Sequence, residues 1–272
     1  MTCEIIAKES RIMKVIKNIP YRPSSDDSGL CDLFIPKQNQ HRDVVAMTIH
    51  GGGWCSMAKE NLEGISQWLC HDMGLTTGNI NYRLSSAVPW PACGDDCLTA
   101  ARFLLNDNKL ISGEPARRKI IVVGASSGGH LALMTGLRLP TEKVAAVVSI
   151  SGIGDMKTDQ ASSPGRYKIL FSHEPSDAEI RDASPATYLK PDSPPILCTH
   201  TPQDNVVPIQ SAQIFLDAVH RNGTIGESYF YEKEETGYSH RIWIPGSSPH
   251  RLYPEIEAAI ASFIKKCLML NA

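Results

Sequence analysis

The chain has 272 residues, of which 42% are hydrophobic and 21% charged, enough apolar material for one large core and too little charge for a disordered chain. Lysine and arginine together number 27 against 29 acidic residues, a net charge of −2 with no long run of one sign, so neither nucleic acid nor an anionic membrane is an expected partner. The opening stretch, MTCEIIAKESRIMKVIKNIPY, scatters charges through its apolar residues; it lacks a signal-peptide core, and nothing later approaches a membrane span, so the expected location is cytoplasmic.

Seven apolar runs read as strands, in chain order CDLFIP at 31–36, VVAMTIH at 44–50, TTGNINYR at 76–83, KIIVVGAS at 119–126, VAAVVSIS at 144–151, PPILCTHT at 194–201 and ESYFYEK at 227–233. Several are apolar on both faces, as strands of a parallel sheet covered on each side must be. Helical patterns fall between them near 61–73, 95–106, 128–138, 208–221 and 254–267. The last begins with a proline, which a first helical turn tolerates, and carries Lys265 and Lys266 toward its end. This alternation predicts an α/β fold, a mostly parallel, doubly wound sheet flanked by helices, in one domain over 1–272. Residues 153–193 separate two strands by far more than a usual connection and read as a lid or cap insertion. The eight cysteines are scattered and read as reduced, mostly buried thiols. Cys93 and Cys97 lie four apart on a predicted helix without a second pair to complete a metal site, and no metal is expected.

In such a fold, ligands gather at the carboxyl ends of the strands, and four features fall there. GASSGGH at 124–130 joins a strand to a helix. Small residues flank both Ser126 and Ser127, as a nucleophile on a sharp strand-to-helix turn requires. From its flanks alone, either serine could be that nucleophile. His50-Gly51-Gly52-Gly53-Trp54 follows a strand directly; its glycines let backbone N–H groups approach a developing oxyanion. Asp204, in THTPQDNVVP, stands just past a strand, where it could orient a histidine or merely cap a turn. Of the nine histidines, His240 is the one on a glycine-containing loop after the final strand. His250 is its rival, His200 and His220 read as ordinary strand and helix residues, and His130 lies beside the serines on a helix, where it would not face them. Serine, then aspartate, then histidine is the chain order of α/β-hydrolases.

LCDLFIP, IHGGGW, INYRL, WPACGDD, VVGASSGGHLAL, DASPATYL, THTPQDNVVP and GYSH span nearly the whole chain. Together they resemble the esterase/lipase branch of the α/β-hydrolases, including the hormone-sensitive-lipase-like and small acetyl- or feruloyl-esterase-like enzymes. The resemblance implies Ser126 as nucleophile, His240 as base and Asp204 as orienting acid. It also implies an oxyanion hole from the N–H groups of Gly52, Gly53 and Ser127 and a structural Arg83–Asp96 pair; Trp54, by its place beside that loop, is a candidate for the substrate-pocket wall. The resemblance settles the choice between the serines, because in the family pattern the residue after the nucleophile donates its N–H and a Gly-Gly pair opens the helix. Larger members carry a helical cap before HGGG, which the short stretch ahead of His50 does not match. IWIPGSSPH, after His240, resembles an insertion. The implied activity is ester hydrolysis through an acyl-enzyme, without metal or cofactor; the resemblance leaves the substrate open, and the polar 153–193 segment, with little apolar surface to enclose a long chain, points to small-molecule, short-chain acyl esters. The alternatives are a formamide or amide hydrolase of the kynurenine-formamidase type and, from a different class, a non-catalytic binding protein on a hydrolase fold.

Overall fold

A computed structural model describes residues 7–9, 13–232, 240 and 247–270. The strands are β1 (Ala7–Glu9), β2 (Met13–Pro20), β3 (Leu30–Pro36), β4 (Val44–Ile49), β5 (Thr76–Ile80), β6 (Lys119–Ala125), β7 (Val144–Ile150), β8 (Ile196–His200) and β9 (Gly226–Phe230). The helices are α1 (Glu63–His71), α2 (Ala92–Asn106), α3 (Ser127–Arg138), α4 (Met156–Ser162), α5 (Pro164–Phe171), α6 (Asp177–Asp182), α7 (Ile209–Arg221) and α8 (Pro254–Leu270). Short 3-10 turns fill some of the connections.

One sheet holds the strands in the order β1-β2-β3-β5-β4-β6-β7-β8-β9. The β5-to-β9 part is parallel, and β3 joins it antiparallel to β5. Side chains alternate across the sheet as the strand period of two demands. On β6, Ile120 and Val122 enter the layer under α2, α3 and α7, while Ile121 and Val123 enter the layer under α1 and α8. The chain leaves β4 toward α1 on one face and leaves β6 into α3 on the other. The carboxyl ends of these two neighbours therefore form the topological switch point, the crevice where α/β sheets bind ligands.

The predicted parallel strands and major helices all appear, with shifted ends. The predicted strand at 76–83 stops at Ile80, so Arg83 lies on the loop beyond it instead of ending a strand. The antiparallel β1–β2 extension was not anticipated in the charged opening stretch. Only two of the eight β2 residues are buried, a pattern too weak to announce a strand before its partner β3 is known. Residues 153–193 form α4, α5, α6 and a 3-10 turn instead of an open loop. Their apolar side chains Met156, Tyr167, Leu170 and Phe171 are buried in the main core. Most of the IWIPGSSPH stretch, the end of the last predicted strand and the loop just before His240 lie outside the described residues. Seven cysteines are described, none in a disulfide; six are buried, Cys93 and Cys97 among them, and Cys55 is partly exposed. No described helix is long and apolar enough to cross a membrane.

Candidate active site

The turn between β6 and α3 forces Ser126 to φ 56° and ψ −124°, a left-handed conformation that costs a residue with a side chain about 1–3 kcal/mol. Close packing around it enforces that turn. A Cβ on Gly124 would collide with the carbonyl of Gly128, and one on Gly128 would collide with the carbonyls of Ile49 and His50. The Ser126 N–H donates to Ile150 O at 2.8 Å, tying the elbow to the end of β7. Ser126 Oγ lies 3.0 Å from His240 Nε2. Ser127, the first residue of α3, is fully buried, so only its backbone faces the turn's exit.

His240 Nδ1 is 2.7 Å from Asp204 Oδ2. Asp204 is 9% exposed, and its Oδ1 accepts the N–H groups of Val206 and Val207 at 2.9 and 2.8 Å. Burial works to raise its pKa, but hydrogen bonds from His200, His240 and Val207, with the charge of His240, outweigh burial and hold it well below the usual carboxylate range. The structure thus joins Ser126, His240 and Asp204 in one hydrogen-bonded chain, from three loops far apart in sequence. His250 is elsewhere, with its carbonyl against Gly64 at the start of α1.

The glycine loop after β4 turns back on itself. Gly52 has φ 104° and Gly53 φ 59°, and the Gly52 carbonyl is fixed by Cys55 N, Ser56 N and Ser56 Oγ at 3.2, 3.1 and 2.8 Å. Among the described residues, the N–H groups of Gly52, Gly53 and Ser127 donate no hydrogen bond. Trp54 departs from expectation: its side chain is fully buried and forms no open pocket wall. The indole N–H donates to His130 Nδ1 at 3.2 Å, and the ring packs edge-on to Tyr167 at 6.1 Å. Accepting on Nδ1 leaves His130 protonated on Nε2, which donates to Ala183 O at 2.7 Å. Burial lowers the His130 pKa to about 4 despite that bond, so the ring stays neutral and pins the glycine loop, α3 and the 153–193 segment together.

Three contributors escaped the sequence reading. His200 Nε2 reaches Asp204 Oδ2 at 3.1 Å; the four-residue spacing in HTPQD was the available signal. Arg166 on α5 lays its stem over the glycine loop, with Cδ and Cγ 3.9 and 4.0 Å from where a Gly53 Cβ would stand, and its Nη2 donates to Val206 O at 2.8 Å. Asp159 on α4, fully buried, pairs with Arg166 at 3.4 Å. Burial raises the Asp159 pKa and Arg166 opposes that rise. No sequence periodicity links these two helices to the glycine loop.

Arg83 and Asp96 do pair, and a third residue joins them. Arg83 Nε and Nη2 reach the two Asp96 oxygens at 2.9 and 2.7 Å, its backbone N–H donates to Oδ2 at 2.9 Å, and Arg22 Nη2 adds a bond at 3.1 Å. Asp96 is 1% exposed. Asp96→Ala is expected to destabilise the fold by about 3 kcal/mol, the lower end of the range for breaking a buried pair because Arg83 still reaches water. Thermal melting should fall by several degrees while acyl preference holds; unchanged melting with a switched preference would refute the structural role. A cleft of about 760 Å³ opens beside this cluster, lined by Arg22, His50, Met57, Tyr82, Arg83 and Val88 among others, and Ser126 does not line it. Among the described residues, no cluster of three or more His, Cys, Asp or Glu side chains is arranged to hold a metal ion.

A doubly wound sheet with a left-handed serine at the β6–α3 turn and a glycine loop after β4 defines an α/β-hydrolase. The BD-FAE family model matches residues 31–219, well over half of the chain, so the chain belongs to the BD-FAE family. The probable carboxylic ester hydrolase LipM of Mycobacterium tuberculosis is 27% identical over 191 residues, 64% of this chain and 44% of that protein. Esterase LipC of the same organism is 27% identical over 219 residues, 71% of this chain and 52% of that protein. The chain thus spans about half the length of these curated relatives. Among solved structures, a truncated carbohydrate esterase from gut microbiota superposes with a TM-score of 0.77 at 21% identity, covering 96% of this chain and 98% of the other. Esterase B from Lactobacillus rhamnosis, inhibited by a tributyrin phosphonate, superposes with a TM-score of 0.77 at 16% identity, covering 97% and 88%. These likenesses speak to the fold.

Proposed function

We propose that the protein is a serine carboxylic ester hydrolase that cleaves short-chain acyl esters of small molecules through an acyl-enzyme. The observation that carries this reading is the Ser126–His240–Asp204 chain beside three backbone N–H groups that donate no hydrogen bond among the described residues. Ser126 Oγ attacks the ester carbonyl as its proton passes to His240 Nε2. The carbonyl oxygen becomes an oxyanion facing the N–H groups of Gly52, Gly53 and Ser127, and Asp204 stabilises the imidazolium. His240 returns the proton to the departing alkoxide, and water then attacks the acyl-serine by the same route in reverse. The esterase names of LipM and LipC support the ester class.

Short acyl groups follow from what covers the site. We read residues 153–193 as its lid, but the buried Met156, Tyr167, Leu170 and Phe171 spend that segment's apolar face on the core. The Arg166 stem also covers Gly53 at van der Waals distance. Each methylene of a longer chain contributes only about 0.8 kcal/mol, and only where an apolar wall receives it. A nitrophenyl ester series should therefore give the highest kcat/KM from acetyl to butyryl, declining beyond about six carbons, with no activation by emulsified lipid. A maximum at ten carbons or a jump at the lipid interface would make it a lipase instead. Turnover of N-formylkynurenine alone would move it to the formamidases, and failure to react with a fluorophosphonate would leave a binding protein.

A further inference from the structure

His200 sits at the end of β8, wholly buried, and takes no part in the mechanism above. Its Nε2 is 3.1 Å from Asp204 Oδ2 and 2.9 Å from Val207 O. Both are acceptors, so Nε2 carries the proton and shares it between them. Nδ1, on the other side of the ring, is buried with no hydrogen-bond partner among the described residues. A buried proton there would lack an acceptor at a cost of about 1–3 kcal/mol, so the same tautomer is required from both sides. A neutral imidazole with one donor is thus aimed at the very oxygen that receives His240.

Resting on the triad reading above, we propose that His200 is a positioning residue: it shares Asp204 Oδ2 with His240 and fixes both the direction and the basicity of that carboxylate. Asp204 receives four N–H groups, from His240, His200, Val206 and Val207. The two backbone donors hold Oδ1, so among the described residues His200 is the one side chain besides His240 that orients Oδ2. Removing a donor concentrates negative charge on Oδ2. The carboxylate then holds the His240 imidazolium more tightly, and His240 gives up its proton only at higher pH. Among the described residues, the other charged groups nearby are Asp159 on α4, which interacts with both Asp204 and His240, and Arg166 on α5; a change at residue 200 alters neither of these residues.

The test compares two amides. In His200→Gln the side-chain nitrogen reaches about as far as Nε2, whereas in His200→Asn it stops near the position of Nδ1, short of Asp204. The readout is the pH profile of the rate at which a fluorophosphonate labels the serine, so no particular ester need be guessed. The Gln variant should stay within a few-fold of the natural protein, with its acidic limb unmoved. The Asn variant should label about tenfold more slowly, with the acidic limb displaced upward by about half a pH unit. Equal profiles for the two amides would overturn the proposal. In the unsubstituted protein, the Nε2-bound proton resonance of His200 should move through the same pH interval as the labelling rate. A resonance that ignores that transition would overturn it without any variant. A natural protein that does not label at all would instead remove the hydrolase reading.

Discussion

Ser126→Ala is expected to reduce hydrolysis by about 10³-fold or more, the loss typical when the nucleophile of such a unit is removed, while Ser127→Ala keeps most of it. The two neighbours differ because the left-handed turn separates their roles. Ser126 Oγ lies 3.0 Å from His240 Nε2, whereas the Ser127 side chain is buried at the first turn of α3. Alanine at 127 retains the backbone N–H proposed to face the oxyanion. Alanine at 126 keeps the turn but leaves His240 with no hydroxyl to deprotonate. Mass spectrometry after fluorophosphonate treatment, beside kcat/KM on a nitrophenyl acetate, measures both. A dead Ser127→Ala protein with an active, labelled Ser126→Ala protein would reverse the assignment.

Asp204→Asn should cost a similar factor, about 10³-fold or more, although it changes only one atom. All four hydrogen bonds at Asp204 are received from N–H donors. An amide NH₂ placed on either side must confront two of them. If it faces His240, that ring can pair with it only by accepting on Nδ1, which puts its proton on Nε2, toward Ser126 Oγ, and a protonated nitrogen cannot take the serine proton. His240→Ala should be equally damaging, and His250→Ala should not, since His250 packs near the start of α1. In the natural protein, hydrolysis needs a neutral general base, so activity should rise with pH on the acid side. Stability carries a separate signature. The Asp204 pKa is depressed in the fold, so its contribution is fully present above the unfolded value near pH ~4 and fades as pH falls through the folded value. Acid denaturation of Asp204→Asn should lack that part of the slope. A pH–rate profile untouched by both the His240 and Asp204 substitutions would count against the mechanism.

Most of the site was readable because its chemistry is local. A serine between glycines after an apolar strand, a triple glycine after another, and an aspartate just past a third each declare themselves within about ten residues. The strand-and-helix alternation put them at the same edge of a parallel sheet. The sequence by itself determined the α/β class, the candidate Ser126, Asp204 and His240, the glycine loop and the Arg83–Asp96 pair. Tertiary structure decided what depends on partners remote in the chain. β2 is a strand because β3 lies beside it; alone, MKVIKNIP buries too little to specify one. Arg22 joins Asp96 from 74 residues away, and Trp54 turns into the core because His130 and Tyr167 offer its indole a hydrogen bond and a ring edge there. His200 looked like a buried strand residue and is one, but β8 ends so that its one donor meets the Asp204 carboxylate. Hydrophobic period and turn chemistry act over a few residues, whereas the direction of a buried polar side chain is set by whichever acceptor the folded chain brings within about 3 Å, and that no local pattern encodes.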